Sequence, residues 1–261
     1  MLRPVGGMSK IAEAIARSLG KRITYHAEAT RIRRTTAGAR VEWRDTRTGK
    51  SSALAADYVL VTIQPGLLSA LDHDFSPRVK QALAAPDSSP LAKVGFQATR
   101  RFWELDEQIY GGISWTDHSI TQIWYPSNGF HADRGILVGA YVFRDGEAFA
   151  KLSPAARIEL ALEGGALLHP QYKKHLEQGI AISWRKVKYS SGATTHWSDD
   201  ARKNEYPVLL EPDGPYFFAG EYLSYINGWQ EGALRSAHLS IARLDAIHRE
   251  KKLTASKEKS L

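Results

Sequence analysis

Residues 214–244 read GPYFFAGEYLSYINGWQEGALRSAHLSIARL and change character twice. Tyr216-Phe217-Phe218-Ala219 has the composition of a buried strand, which breaks at Gly220-Glu221. After a short polar loop, Gly228 and Trp229 lead a helix. Leu234, Ala237, Ile241 and Leu244 recur at helical spacing, so one face of that helix is expected to pack inward. A strand, a loop and then a buried helix leave free backbone N–H groups at the helix N-terminus, where an anion or polar ligand can be held. Gly228 would let such a ligand come close. Glu221 falls at the C-terminal end of a strand, where open α/β sheets bind their ligands. Its carboxylate can accept two hydroxyl hydrogen bonds, as from a polyol. A surface glutamate in a loop is the alternative.

The rest of the chain limits what this segment can belong to. Its 261 residues suit one large domain or two small ones, and 43% hydrophobic content is ordinary for a globular protein. No apolar run reaches the roughly 18 residues that a membrane span needs. MLRPVGGMSK has neither the charged nor the apolar region of a signal peptide, which leaves a cytoplasmic protein as the default expectation. With no cysteine, disulfides and thiolate chemistry are excluded, and no metal cluster is expected. The formal charge of +7 comes from 35 basic and 28 acidic residues. Basic pieces such as RIRR at 31–34 join no nucleic-acid motif, so neither nucleic acid nor membrane is expected as a partner.

Helix and strand signals alternate along the chain. MSKIAEAIARSLG places Ile11, Ile15 and Leu19 on one face, with Gly20 where a helix C-cap belongs. RITYHA and ARVEWRD read as strands, as does the apolar run Tyr58-Val59-Leu60-Val61 within SALAADYVLVTI, which QPG stops. KVGFQATRRFW, GGISW, TQIWYP and GILVGAYVF are β-rich. SPAARIELALEGGALLH is a helix with Ser153 as N-cap and proline at N1. QGIAISWRKV is another strand, followed by an irregular stretch to Pro207. The last dozen residues read as a solvated, frayed tail.

FFAGE followed by GWQEGALRSAHLSIAR strongly resembles the C-terminal signature of the FAD-dependent amine oxidase superfamily, most nearly of L-amino acid oxidases and their monooxygenase relatives. PVGGMSKIAEAIA, ITYHAEATRIRR, AADYVLVTIQPGLLSAL, LAKVGFQATRRFW, GAYVFRDGEAF and ISWRKVKYSSGA resemble further family segments, in the family's order. The likeness covers nearly all of residues 3–247. The family's opening strand, Gly-rich turn and helix, which hold the FAD pyrophosphate, have no counterpart here. The chain therefore resembles the C-terminal half of such an enzyme: a subunit completed by a second chain carrying the Gly-rich half, a truncated product, or a fragment.

The resemblance implies an α+β fold, with incomplete segments of an FAD-binding α/β domain and a β-rich, mixed-sheet substrate domain. The expected divisions are 1–63 and 206–249 for the flavin segments, 64–205 for the substrate domain and 250–261 for the tail. It implies oxidative deamination of an L-amino acid with FAD as cofactor. A flavin-free silent fragment, a monoamine or polyamine oxidase, and an amino acid 2-monooxygenase stay open. Lys93 matches a lysine that holds a water near the flavin; a solvent-facing edge lysine is the alternative. Tyr141 matches a tyrosine that binds the substrate carboxylate, against a plain core tyrosine. Gly228 and Trp229 match positions beside the substrate amine, and Ala193 lines the side-chain pocket. Trp184 matches an aromatic near the flavin ring. Gly220, Glu221 and Gln230 are placed at the flavin's ribityl, phosphate or polar edge. Ala29 would act through its backbone near the adenine, and Gly6 and Gly7 open a helix. In a monoamine or polyamine oxidase, an aromatic over the flavin would fall in the loop YLSYIN, where Tyr225 could be mistaken for it.

Overall fold

The computed structural model describes the backbone of residues 4–258 and the side chains as far as residue 254. Helices and sheets are mixed, giving an α+β protein. The chain forms two compact units. One runs up to Val59 and includes Leu71–Phe75, and the other comprises Leu60–Ala70 and the chain from Ser76 onward.

The first unit opens with the helix Ser9–Leu19, ended as expected by Gly20, whose N–H donates to the Ala16 carbonyl. Strands β1 (Ala27–Arg34), β2 (Ala39–Asp45) and β3 (Ser51–Ala56) follow. The strand expected over RITYHA starts later, at Ala27, because a short 3-10 turn over Gly20–Arg22 and a positive φ of 59° at His26 occupy that stretch. The apolar run expected as a strand over residues 58–61 forms one at Val59–Val61, preceded by a separate strand. β3 ends at Ala56, and β4 (Val59–Val61) belongs to a different ladder. The short β5 (Asp72–His73) returns to pair in parallel with β1, giving the order β3-β2-β1-β5. Arg31 and Arg33 on β1 both grip Asp72 on β5. Those two hydrogen-bonded guanidinium groups hold the Asp72 carboxyl below its usual range.

The second unit is built on a five-stranded antiparallel sheet in the order β11-β7-β10-β9-β8. Following β6 (Asp87–Ser88), its strands are β7 (Ala92–Ala98), β8 (Gly112–Trp115), β9 (Gln122–Tyr125), β10 (Gly135–Val142) and β11 (Leu176–Ser183). β7 alternates strictly between buried and half-buried residues, as a strand with one covered face must. Val94, Phe96, Leu137, Val142 and Ile123 turn into a core shared with Ala161 of the helix Pro154–Leu168. That helix begins as its sequence predicts, with Ser153 accepting from the Ala156 N–H and Pro154 in the first turn. The opposite face of the sheet carries Lys93, Tyr141, Trp124, Ile136, Ile180 and Ile182. Ile136 and Ile180 remain 61% and 68% exposed.

A buried ion pair anchors the end of this core. The Arg101 guanidinium binds the Glu104 carboxylate and donates to the Asn128 (3.0 Å) and Arg134 (3.4 Å) carbonyls. The other oxygen of Glu104 accepts the His131 N–H at 3.0 Å. The stretch expected to be irregular before Pro207 contains two short helices, Asp199–Asn204 and Tyr206–Leu210. The first is capped by the Ser198 hydroxyl and carries Asp199 and Asp200 in its first turn, where the helix dipole favours acids.

β12 (Thr195–His196) pairs with β6, and β13 (Tyr216–Phe218) with β4. The final helix, Gln230–Glu258, docks differently from its apolar periodicity. Leu234 and Ile241 are 44% and 50% exposed. Its buried contacts are small residues instead. A Cβ on Gly232 would lie 2.0 Å from the Ile226 carbonyl oxygen. The Ser236 hydroxyl both accepts the Gly220 N–H and donates to the Gly220 carbonyl, and Ser240 donates to the Phe218 carbonyl. The helix lies close to the end of β13, satisfying backbone groups there, and large side chains at those positions would prevent the approach. It also continues through residues 250–258, where a frayed tail is expected.

Candidate active site

Alternation along β7 puts Leu91 and Lys93 on the open side of the sheet, and antiparallel register sets Lys93 beside Tyr141 on β10 and Ile182 on β11. Immediately after β11 the chain turns, and the Trp184 N–H donates to the Leu91 carbonyl at 3.0 Å. Leu91, Lys93, Tyr141 and Trp184 line a pocket of about 500 Å³. Gly228 and Trp229 line it too, with Ser190, Gly192, Ala193, Thr194, His196 and Asn227 completing the lining. The fold thus brings six residues singled out in the sequence into a single pocket: Lys93, Tyr141, Trp184, Ala193, Gly228 and Trp229.

The electrostatics of the pocket are one-sided. The Lys93 ammonium is half-buried and lies 4.6 Å from the centre of the Tyr141 ring, and no carboxylate pairs with it among the described residues. Desolvation pushes its pKa down from the ordinary lysine value, and burial pushes the Tyr141 phenol up. Trp124 stacks on Tyr141, with centroids 5.1 Å apart and planes at 20°, which fixes the ring. Of the twelve lining residues, none is acidic.

Glu221 is not part of the lining. Its Oε1 accepts the Thr195 N–H at 3.0 Å, and its Oε2 accepts the Thr194 hydroxyl at 3.1 Å and the Gly228 N–H at 2.5 Å. Asn227 adds a second link by donating to the Thr195 carbonyl at 3.1 Å. Gly220 stands where a Cβ would come within 2.3 Å of the Tyr222 ring. Gln230 is the exposed first residue of the last helix. Ala29 belongs to the first unit, half-buried on β1 opposite Trp43 and beside a register irregularity. Gly6 and Gly7, both at positive φ, precede the first helix in that unit. Tyr225 is outside the pocket lining. It is 85% exposed and covers the Arg202 guanidinium at 4.4 Å, with Tyr206 at 3.9 Å on the same cation.

Sequence reasoning missed Leu91, Ser190, Gly192, Thr194, His196 and Asn227. Period-two alternation could have found Leu91, two residues before Lys93. The segment 190–196 offers no periodicity. Its one local signal is Gly192, which holds a positive φ of 154° where a Cβ would sit 1.9 Å from the Ser88 hydroxyl oxygen.

Among the described residues, no helix is long and apolar enough to cross a membrane. Residues 1–243 match the family model for flavin containing amine oxidoreductases. The chain is 30% identical over 240 residues to an L-amino-acid oxidase of Siganus canaliculatus, covering 89% of this chain and 45% of that protein. It is 26% identical over 245 residues to the L-amino-acid oxidase of Notechis scutatus scutatus, covering 92% and 47%. A solved structure of putrescine oxidase bound to putrescine matches the fold with a TM-score of 0.78 at 21% identity, over 92% of this chain and 53% of that one. The chain spans about half the length of these relatives. With a family match over nearly its whole length, this chain belongs to the flavin containing amine oxidoreductases.

Proposed function

We propose that the chain supplies the substrate side of an FAD-dependent oxidase acting on an L-amino acid. In the overall reaction the amino acid loses two electrons and two protons to become an imino acid. Water hydrolyses this to the keto acid and ammonia, and dioxygen takes up the two electrons and two protons as hydrogen peroxide. The observation that carries this reading is the charge of the pocket: one unpaired ammonium, one phenol and no carboxylate. Such a lining suits a ligand that brings its own anion. The distal ammonium of a diamine would find no counter-charge there, although a putrescine oxidase shares the fold. Tyr225, in the loop where a polyamine oxidase would carry an aromatic, lies outside the lining.

The flavin ring fits the pocket: aromatic walls from Trp184 and Trp229 suit a flat ring, and about 500 Å³ leaves room beside it for a small substrate. The pyrophosphate end finds no Gly-rich turn within this sequence, and we assign that part to a Gly-rich half, whether on a second polypeptide or on a longer chain of which this is a piece. When bound, the flavin supplies the two-electron oxidation of the substrate C–N bond. This chain's residues orient and shield. The Tyr141 hydroxyl donates to the substrate carboxylate. Gly228 has its N–H committed to Glu221, which leaves its carbonyl to meet the substrate ammonium, while Trp229 walls that side. Ala193 borders the substrate side chain. Lys93 holds a water at the flavin side of the site. Gly220 and Gln230 stand at the approach to the cofactor.

The test is turnover by the chain completed with its flavin-binding half, comparing an L-amino acid with the amine that lacks its carboxylate and following peroxide. Preferential oxidation of the amino acid is expected. Preference for the simple amine overturns the reading.

A further inference from the structure

An ammonium nitrogen has no free electron pair, so the carbon–nitrogen bond of an amino acid or amine cannot be oxidised until that nitrogen gives up a proton. Amino groups hold theirs near neutral pH, and a site that oxidises them needs a group to receive it. Of the twelve residues lining the pocket, His196 alone has a side chain of the type that takes and releases protons around neutrality. We propose that His196 is the general base of the reaction. An N–H bond of the substrate ammonium breaks, an N–H bond forms on the imidazole, and the electron pair stays on the substrate nitrogen. This accounts for one of the two protons that the substrate loses; the other leaves with the two electrons. The assignment rests on the oxidase reading of the same pocket and adds a catalytic residue to it.

Placement carries the assignment. The chain runs extended through residues 193–196. The Ala193 N–H donates to the Ser89 carbonyl at 3.0 Å, the Ser89 N–H donates to the Thr194 carbonyl at 2.8 Å, and Thr195 and His196 pair with Ser88 and Asp87. Side chains two apart on an extended segment share a face, so His196 stands with Thr194 and not with the buried Thr195. Thr194 touches Gly228, where a Cβ would lie 3.1 Å from the Thr194 hydroxyl oxygen. Asn227 draws the same two segments together by donating to the Thr195 carbonyl at 3.1 Å. The imidazole and the Gly228 carbonyl that is to meet the ammonium therefore belong to neighbouring stretches of the lining. His196 is exposed, so the proton it collects can pass to solvent. The titratable groups around it are Asp87 opposite on β6, Glu221 bound to the Thr195 N–H, Asp199 and Asp200 in the next helix, and Lys93 and Tyr141 in the lining. The carboxylates favour the imidazolium while it holds the proton, and the Lys93 ammonium opposes it. Asp87 faces it directly, as opposed residues of an antiparallel pair do, with Cβ atoms about 4.5–5.5 Å apart.

The experiment has two arms. In the chain alone, proton NMR follows the His196 Cε1–H resonance, identified by its loss in His196→Gln with the other imidazole resonances unmoved. It should shift as the pH is carried across neutrality. A resonance that stays fixed overturns the proposal, because a locked imidazole collects no proton. In the flavin-completed enzyme, kcat/KM for the amino acid or amine turned over best is followed against pH in wild type, His196→Gln, His196→Ala and Lys93→Met. Near neutral pH His196→Gln should lose about a hundredfold, and the loss should shrink as rising pH delivers substrate already deprotonated. Added imidazole should restore about tenfold or more in His196→Ala. A loss equal at every pH and unanswered by imidazole overturns the proposal and leaves His196 a wall of the pocket. An acid limb that moves in Lys93→Met and not in His196→Gln overturns it too and gives the role to Lys93. If the completed wild type prefers simple amines, the amino acid reading fails and this assignment stands, since an amine carries the same proton. If it oxidises neither, the oxidase reading and the assignment fall together.

Discussion

At the residue scale, Tyr141 and Lys93 share one strand pair and carry opposite expectations. Tyr141→Phe removes a single hydroxyl whose proposed partner is a carboxylate, a bond worth about 1.5–3 kcal/mol. In the completed enzyme kcat/KM for an L-amino acid should fall roughly ten- to hundredfold, and an amine without the carboxylate should be indifferent. Equal losses for both substrates would return Tyr141 to a packing role. Lys93 is a charge with no counter-charge, and burial lowers its pKa from 10.5. Between that lowered value and 10.5 the unfolded chain binds more protons than the folded one, so this group's contribution to stability rises with pH across the window. Lys93→Met should remove that slope, and by deleting a desolvated charge it should leave the chain as stable as wild type or more so near neutral pH. Thermal melts of both proteins from pH 7 to 10 check this. In the completed enzyme the same variant should slow reoxidation by oxygen much more than anaerobic reduction. Unchanged rates in both would leave Lys93 a structural curiosity of the sheet.

At the scale of elements, the sequence was most legible where one physical signal acted alone. Ser153-Pro154 marks a helix start because cap and ring chemistry are local, and β7 shows in LAKVGFQA because one covered face imposes a period of two. Lys93, Tyr141 and Trp184 converge because strand register carries them there, which a family likeness can transmit and periodicity cannot. The last helix shows the failure. Leu234 and Ile241 mark an apolar stripe, yet the docked face is Gly232, Ser236 and Ser240, since close approach to the carbonyls at a strand end favours small and hydroxylated residues. The wall at 190–196 was invisible for a related reason: it is held by side chains distant in sequence, Glu221 and Asn227. Arg101 and Glu104 give this scale its test. Removing one member of a buried pair strands the other charge, at a cost of about 3–5 kcal/mol. Arg101→Met should therefore lower the urea midpoint steeply, while replacing both residues with apolar ones of similar volume should recover much of the loss. A single variant as stable as wild type would show that Glu104 finds other compensation.

At the scale of the whole molecule, what the chain offers a flavin is unequal along the cofactor. In the proposed reading the pocket walls take the ring end, and the dinucleotide end needs backbone N–H groups at a Gly-rich turn that this sequence does not contain. Much of the second unit's sheet face is likewise left apolar and open, at Ile136, Ile180 and Trp115. Each missing charge-assisted phosphate contact forgoes about 1.5–3 kcal/mol, so a few of them separate a tightly held cofactor from one bound on the order of 1 mM. The chain by itself should accordingly bind FAD weakly, within about tenfold of riboflavin, because the pyrophosphate lacks the Gly-rich turn that supplies most of its grip. Adding the proposed Gly-rich partner should separate the two, tightening FAD by several orders of magnitude and leaving riboflavin nearly where it was. Titration of flavin fluorescence with the chain alone and with the reconstituted pair reads both quantities directly. A stoichiometric yellow complex between FAD and the isolated chain would mean that the pyrophosphate is held by residues assigned here to other work, and the need for a Gly-rich half would fall with it.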